Sequence, residues 1–207
     1  MLWSKGQRVK DWASYKRTSQ LKKHLIKERK NTCEKCLQSK WLGECAVRQY
    51  CQKHLILRTS WVVGAHGNNF LKTILRLASE RDALRIVADQ IGTPTSADLL
   101  TKVTLKALQT LLSAKQDDAR FGTYHVAATG ETSWHAYAQY VVEGALKRGG
   151  DLKCKLESVE PIPTSAYPLP APRPANSRLN TEKIRSTFGI ELPKWQLGVD
   201  AILDALI

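Results

Sequence analysis

No apolar run in the 207-residue chain approaches the roughly 20 residues that a membrane-spanning helix requires. The opening Met1-Leu2-Trp3-Ser4-Lys5-Gly6-Gln7-Arg8 lacks the apolar core of a secretion signal. Together with an odd count of five cysteines, this makes a reducing cytoplasm the expected compartment. No internal repeat is visible. Nothing before residue 43 offers a strand, a glycine turn and a helix in that order, so the chain lacks a recognisable dinucleotide-binding loop. Acidic side chains are scarce at one end only. Residues 1–58 hold 15 Lys and Arg against 4 Asp and Glu, so about +11 of the net charge of +13 sits there, and the remainder is close to neutral.

What is present indicates a globular protein. An apolar fraction of 43% and six tryptophans set the chain apart from disordered sequences. The basic end could serve nucleic acid or acidic lipid, or be a solvated tail. Residues 1–35 show no clean periodicity, although 19–27 could form a short basic helix with a thin apolar stripe. From about residue 39 the pattern changes. Ser39 to Lys53 reads as a helix, and His54 to Val63 as a buried strand closed by Gly64. Asn69 to Ser79 reads as an amphipathic helix, and Leu84 to Ala88 as a strand. A helix capped by Thr95 or Ser96 runs to about Ser113.

Gly122 to Ala127 reads as a further strand, followed by a helix capped by Thr132 or Ser133 and stopped by Gly149-Gly150. Six prolines between Pro161 and Pro174 make that stretch extended. Two short helices, from Asn180 or Thr181 to Phe188 and from Pro193 to Leu206, close the chain. Alternation of strand and helix predicts an α/β fold with a mainly parallel sheet.

Several ordered segments carry a more specific signal. They are Ser39-Lys40-x-x-Gly43-Glu44, Arg58-Thr59-Ser60-Trp61-Val62, Gly67-Asn68-Asn69-Phe70, Asp89-Gln90-x-Gly92-x-Pro94-Thr95, Tyr124-His125-x-Ala127 and Arg173-Pro174-x-Asn176-Ser177-Arg178-Leu179. In this order and spacing they resemble the C-terminal part of the dTDP-4-dehydrorhamnose reductase family, of the extended short-chain dehydrogenase/reductase type. The resemblance covers roughly residues 39–206. It implies an incomplete Rossmann-like parallel sheet remnant plus the smaller substrate-binding α/β domain. The expected division is a basic, non-matching segment at 1–38, open to disorder, then residual Rossmann elements and a nucleotide-sugar-binding domain at 39–207.

Reduction of a 4-keto sugar needs a hydride donor held against the carbonyl carbon and an acid at the carbonyl oxygen. The family takes the hydride from NADPH or NADH and uses a tyrosine as the acid. A lysine four residues on lowers the tyrosine's pKa and holds the nicotinamide ribose. Lys40 matches that lysine, which makes it the catalytic and cofactor-binding candidate, while Cys36 stands at the tyrosine position. A thiol ends one atom beyond Cβ and cannot span the distance a phenol covers. The resemblance therefore implies NADPH or NADH as cofactor but a chain that does not bind it alone, truncated and inactive as it stands.

The substrate side is better kept. Trp61 matches the family tryptophan beside the deoxysugar, and Arg173 and Asn176 fall in the nucleotide-sugar contact motif, where an arginine fork suits a pyrophosphate. Val63 departs from the family's usual aromatic residue. A tryptophan at a strand end is equally at home in a core, and an arginine in a proline-rich loop is often a solvated charge. The implied partner is a dTDP-sugar; a homo-oligomer is left open, with no membrane and no nucleic acid expected. Without a neighbour on its other side, an apolar strand at 54–63 would be an aggregation hazard.

Two other readings compete. One is a non-catalytic module that holds a dTDP-sugar or a partner chain. The other is a basic, zinc-supported nucleic-acid binder built on Cys33-x-x-Cys36 with Cys45, Cys51 and His54. Cys45 and Cys51 are six residues apart on a helix and so about 120° off each other's face. Only one Cys-x-x-Cys pair remains, and no metal site is expected.

Overall fold

The computed structural model describes residues 32–167 and 173–207, with side chains from residue 38. The basic segment and its possible helix at 19–27 therefore lie outside the described residues. Contacts divide the chain at Trp41–Leu42, and every described strand belongs to the unit Leu42–Ile207.

Helix α1 (Thr32–Tyr50) opens earlier than its apolar stripe suggests. No proline or glycine interrupts the chain from Thr32 to Leu42, and most residues there are good helix formers. The expected strand at 54–63 is split into β1 (Leu55–Arg58) and β2 (Val62–Val63). The cause is Trp61, whose φ of 47° is left-handed and ends any extended run.

Helix α2 (Phe70–Glu80) precedes β3 (Leu84–Val87), then β4 (Ile91–Gly92) and β5 (Thr95–Ser96). Helix α3 (Ala97–Leu111) follows, then β6 (Gly122–His125), β7 (Thr132–Ser133) and α4 (Trp134–Lys147). Strand β8 (Val159–Ile162), α5 (Glu182–Phe188) and α6 (Trp195–Leu206) complete the order. A short 3-10 turn at Thr164–Ala166 interrupts the stretch expected to be wholly extended.

The caps resolve both alternatives left by the sequence. Ser96 Oγ accepts from Leu99 N at 3.1 Å, and Ser133 Oγ from Ala136 N at 3.0 Å. Asn69 caps α2 in the same way, through Lys72 N.

The fold is mixed α/β with short, mostly parallel sheet pieces. Strand β1 pairs β6 in parallel, Leu55 opposite Gly122, and β2 pairs β5, Val62 opposite Thr95. Strand β3 pairs β8 in parallel, whereas β4 pairs β7 antiparallel. Among the described residues β1 has no strand on its other edge. No helix among the described residues is long and apolar enough to cross a membrane.

The core forms where α4 meets α2 and α6. Tyr137, Ala138, Val141, Val142 and Ala145 of α4 pack with Leu71, Ile74 and Ala78 of α2 and with Val199 and Leu203 of α6. Helices α4 and α6 approach closely because residue 144 is glycine. A Cβ there would lie 2.7 Å from Leu203 Cδ1.

The turn before β6 carries an acid-sensitive pair. Asp118 accepts from Arg120 Nη2 at 2.7 Å, from its Nε at 3.0 Å and from its backbone N–H at 2.9 Å. The guanidinium contacts lead in lowering the carboxyl from 3.8 to about 2. The pair therefore contributes fully above the unfolded pKa of about 4 and loses its contribution as pH falls toward the folded value. Asp118→Asn should flatten the decline in Tm between pH 5 and pH 2, read by circular dichroism melts. Parallel curves for both proteins would remove the pair from the acid response.

Candidate functional site

Strand β4 is the point on which Trp61 and Asn176 converge. Its Ile91 N–H donates to Ala175 O at 2.8 Å and its carbonyl accepts from Ser177 N at 2.8 Å, which sets Asn176 alongside in a parallel bridge. The next residue, Gly92, lies under the Trp61 indole, where a Cβ would come within 2.4 Å of Trp61 Cε2. Ser60 Oγ donates to Ser177 O at 3.2 Å and ties the two approaching segments together. Trp61 and Asn176, 115 positions apart in sequence, thus flank the same two-residue strand.

Trp61 is held in a costly conformation. A left-handed φ in a residue with a side chain costs about 1–2 kcal/mol. Its carbonyl accepts from Thr95 N at 3.0 Å, and the following β2–β5 pairing fixes the chain just beyond it. One face of its indole stacks on Trp134, with centroids 3.6 Å apart and planes 14° from parallel. Phe70 packs on Trp134 at 4.5 Å, and Tyr137, Trp195 and Tyr140 extend the aromatic group inward. Burial pushes the Tyr137 phenol well above its ordinary range, and its hydroxyl has no hydrogen-bond partner among the described residues. The phenol of Tyr140, desolvated and donating to Asp200 at 2.9 Å, is pushed up to about 12.

The segment carrying Asn176 is polar and exposed. Asn176 Oδ1 accepts from the backbone N and the Nε of Arg178, both at 3.0 Å, and Arg178 Nη1 reaches Glu131 at 2.7 Å. The carboxamide of Asn176 therefore orders its own loop. Arg173 is exposed and makes no ion pair among the described residues. On the other side of β4, Asp89 accepts from the Thr164 hydroxyl at 2.5 Å and from Thr164 N at 3.0 Å, which holds its carboxyl below the usual range. The buried Gln90 donates to the same hydroxyl oxygen at 3.0 Å.

Lys40 is exposed on α1, and the side chain of Cys36 lies outside the described residues. Beyond Lys40 on the same helix, Glu44 accepts from Arg58 Nη2 at 2.6 Å and Arg48 Nη2 at 2.8 Å, which fixes the end of α1 to the end of β1. The Arg58 hydrogen bond is the chief reason the Glu44 carboxyl is lowered. Cys45 is half-buried and Cys51 exposed. Among the described residues no three His, Cys, Asp or Glu side chains gather as a metal cluster, and those of Cys33 and Cys36 are not described.

An open groove of about 790 Å³ lies elsewhere, between α3 and α6, with Lys102, Lys106, Glu191 and Leu197 on its walls. None of Trp61, Arg173 and Asn176 lines it.

Short, mostly parallel strand pieces, packed helices and a polar loop beside an aromatic group make up an α/β domain. The sequence matches the family described as "RmlD substrate binding domain" over residues 27–207. The dTDP-4-dehydrorhamnose reductase of Escherichia coli strain K12 is 49% identical over 169 residues, which are 82% of this chain and 55% of that protein. The reductase of Sinorhizobium fredii is 42% identical over the same length. The solved structure of the Bacillus anthracis reductase in complex with NADP superposes with a TM-score of 0.68 at 32% identity, covering 81% of this chain and 54% of that one. The Clostridium acetobutylicum orthologue gives 0.69, also at 32%. The chain belongs to the dTDP-4-dehydrorhamnose reductase family, and it spans about half the length of the relatives it matches.

Sequence reasoning missed Trp134 and the notch at Gly92. Both lay within reach. Gly92 sits in a family-like segment, and Trp134 directly follows a residue already identified as a possible helix cap. What the linear pattern lacked was the tertiary approach that brings Trp134 and Gly92, 73 and 31 positions away, onto the Trp61 indole.

Proposed function

We propose that this chain is the nucleotide-sugar-binding part of a dTDP-4-dehydrorhamnose reductase, that it binds a dTDP-sugar at the β4 site, and that it does not reduce it unaided. The observation that carries the reading is the convergence of Trp61 and Asn176 on one short strand within a sequence that matches the substrate-binding family. In this reading the part of the Trp61 indole left exposed between Trp134 and Gly92 meets the deoxysugar edge-on. Arg173, exposed and without an ion pair among the described residues, meets the pyrophosphate with a planar fork of donors. Asn176 shapes the loop through Arg178.

The reaction of the relatives needs a hydride from a nicotinamide and a proton at the sugar carbonyl. The residues in hand do not fit such a cofactor as a complete site. Among the described residues no strand stands before β1, so none there leads through a glycine turn to a helix N-terminus that could cradle the cofactor's pyrophosphate. Lys40 is the one cofactor-side residue that matches the family, and a thiol stands at the acid's position. Lys40 could hold a ribose hydroxyl and offer positive charge to a neighbouring acid; no further step is assigned to this chain.

Calorimetric titration with dTDP-rhamnose should release binding heat. Incubation with dTDP-4-dehydro-L-rhamnose and NADPH should leave the cofactor's absorbance at the blank rate. Absence of heat overturns the binding role, and oxidation clearly above blank overturns the inactivity.

A further inference from the structure

We infer that Gly92 and Trp134 are positioning residues that preset the Trp61 indole for the sugar ring of a nucleotide sugar; the inference rests on the dTDP-sugar reading given above. Three independent constraints meet on one side chain. The backbone of Trp61 is left-handed, which breaks the extended run between β1 and β2 at the residue that carries the indole. Trp134 occupies one face of the ring at 3.6 Å. Gly92 provides the notch, since any Cβ there would collide with Cε2, Cζ2 and Nε1 of the indole at 2.4–2.8 Å.

The supports are themselves fixed. Trp134 is the first residue of α4, directly after the Ser133 cap, and Phe70 packs on it at a tilt of 51°. Gly92 is held by its pairing opposite Thr132 of β7, and the preceding Ile91 by the bridge to Asn176. Core packing alone does not require this arrangement. A tryptophan that only fills space can take an extended backbone and avoid the strain, and the Trp61 ring stays partly exposed. Strain held in place by a stack and a notch is expected where one ring orientation must exist before the ligand arrives, because a preset side chain loses little rotamer freedom on binding.

The test compares dTDP-rhamnose with dTDP, which lacks the sugar. For the wild-type chain, Gly92→Ala, Trp134→Leu and Trp134→Phe, both affinities are measured by calorimetry. The coupling of the stacked indoles is followed as an exciton couplet in far-ultraviolet circular dichroism, and Tm reports folding. Gly92→Ala and Trp134→Leu should lose the couplet and bind dTDP-rhamnose about tenfold more weakly, with dTDP affinity unchanged. Trp134→Phe loses the couplet but keeps an aromatic face, so it should retain most of the sugar-dependent affinity. Equal affinities across folded variants overturn the inference while leaving the nucleotide-sugar reading in place. An equal fall in dTDP and dTDP-rhamnose binding, which a merely structural role would give, overturns the inference in the same way. A wild-type chain that binds neither ligand overturns both.

Discussion

Leu203→Ala should lower the unfolding free energy by about 3 kcal/mol, within the range found for leucines removed from well-packed cores. Leu203 is fully buried on α6, and its Cδ1 sits in the space left by the missing side chain of Gly144. Truncation leaves a cavity between two helices at a position where Gly144 has no side chain to fill it. The damage should reach the candidate site. Helix α6 also carries Trp195, part of the aromatic group that backs Trp134, and Gly198, whose Cβ would stand 2.9 Å from Ser96 Cβ at the start of α3. Urea unfolding followed by tryptophan fluorescence measures the loss, with an unchanged slope showing that the denatured state is the same. A loss below about 1 kcal/mol would mean that α6 is not a docked part of the core.

That helix was legible in the sequence because its apolar residues recur at helical spacing, and the same holds for α2, α3 and α4. Periodicity reports which face is buried, and burial is what fixes these elements. The strands were harder. A run such as His54 to Val63 looks uniformly extended, yet one left-handed residue divides it, and backbone strain at Trp61 leaves no trace in hydropathy. Strands β4, β5 and β7 are two residues each, too short for any alternation to declare them. They exist because their partners hold them: Thr132 and Ser133 pair with β4, and Val62 and Val63 with β5. Trp61, Arg173 and Asn176 could be named from the sequence only through resemblance to a family. That Trp61 and Asn176 meet at β4 is a tertiary fact that no spacing encodes. Lys40 and Cys36 lie on α1, and the roles named for them rest on the resemblance alone.

Arg173→Ala should weaken dTDP-rhamnose binding about 30-fold at low ionic strength, as expected when a charge-assisted contact to a phosphate is lost. Two arginines stand near each other in sequence here, and their surroundings assign them different work. Arg178 is committed: it binds Asn176 Oδ1 through Nε and Glu131 through Nη1. A guanidinium already engaged by a carboxylate at 2.7 Å has less to offer a ligand anion. Arg173 is solvated and makes no ion pair among the described residues, so its donors can turn to a pyrophosphate without breaking a protein contact. Its effect should therefore depend on salt, because an exposed charge acts through a screened field, and it should shrink as ionic strength rises toward 1 M. Arg173→Lys should recover only part of the affinity, since an ammonium keeps the charge and loses the bidentate fork. Arg178→Ala should instead loosen the loop and weaken binding with little dependence on salt. Titrations of the three variants at two salt concentrations separate these outcomes. Equal binding by wild type and Arg173→Ala would remove Arg173 from the phosphate contact.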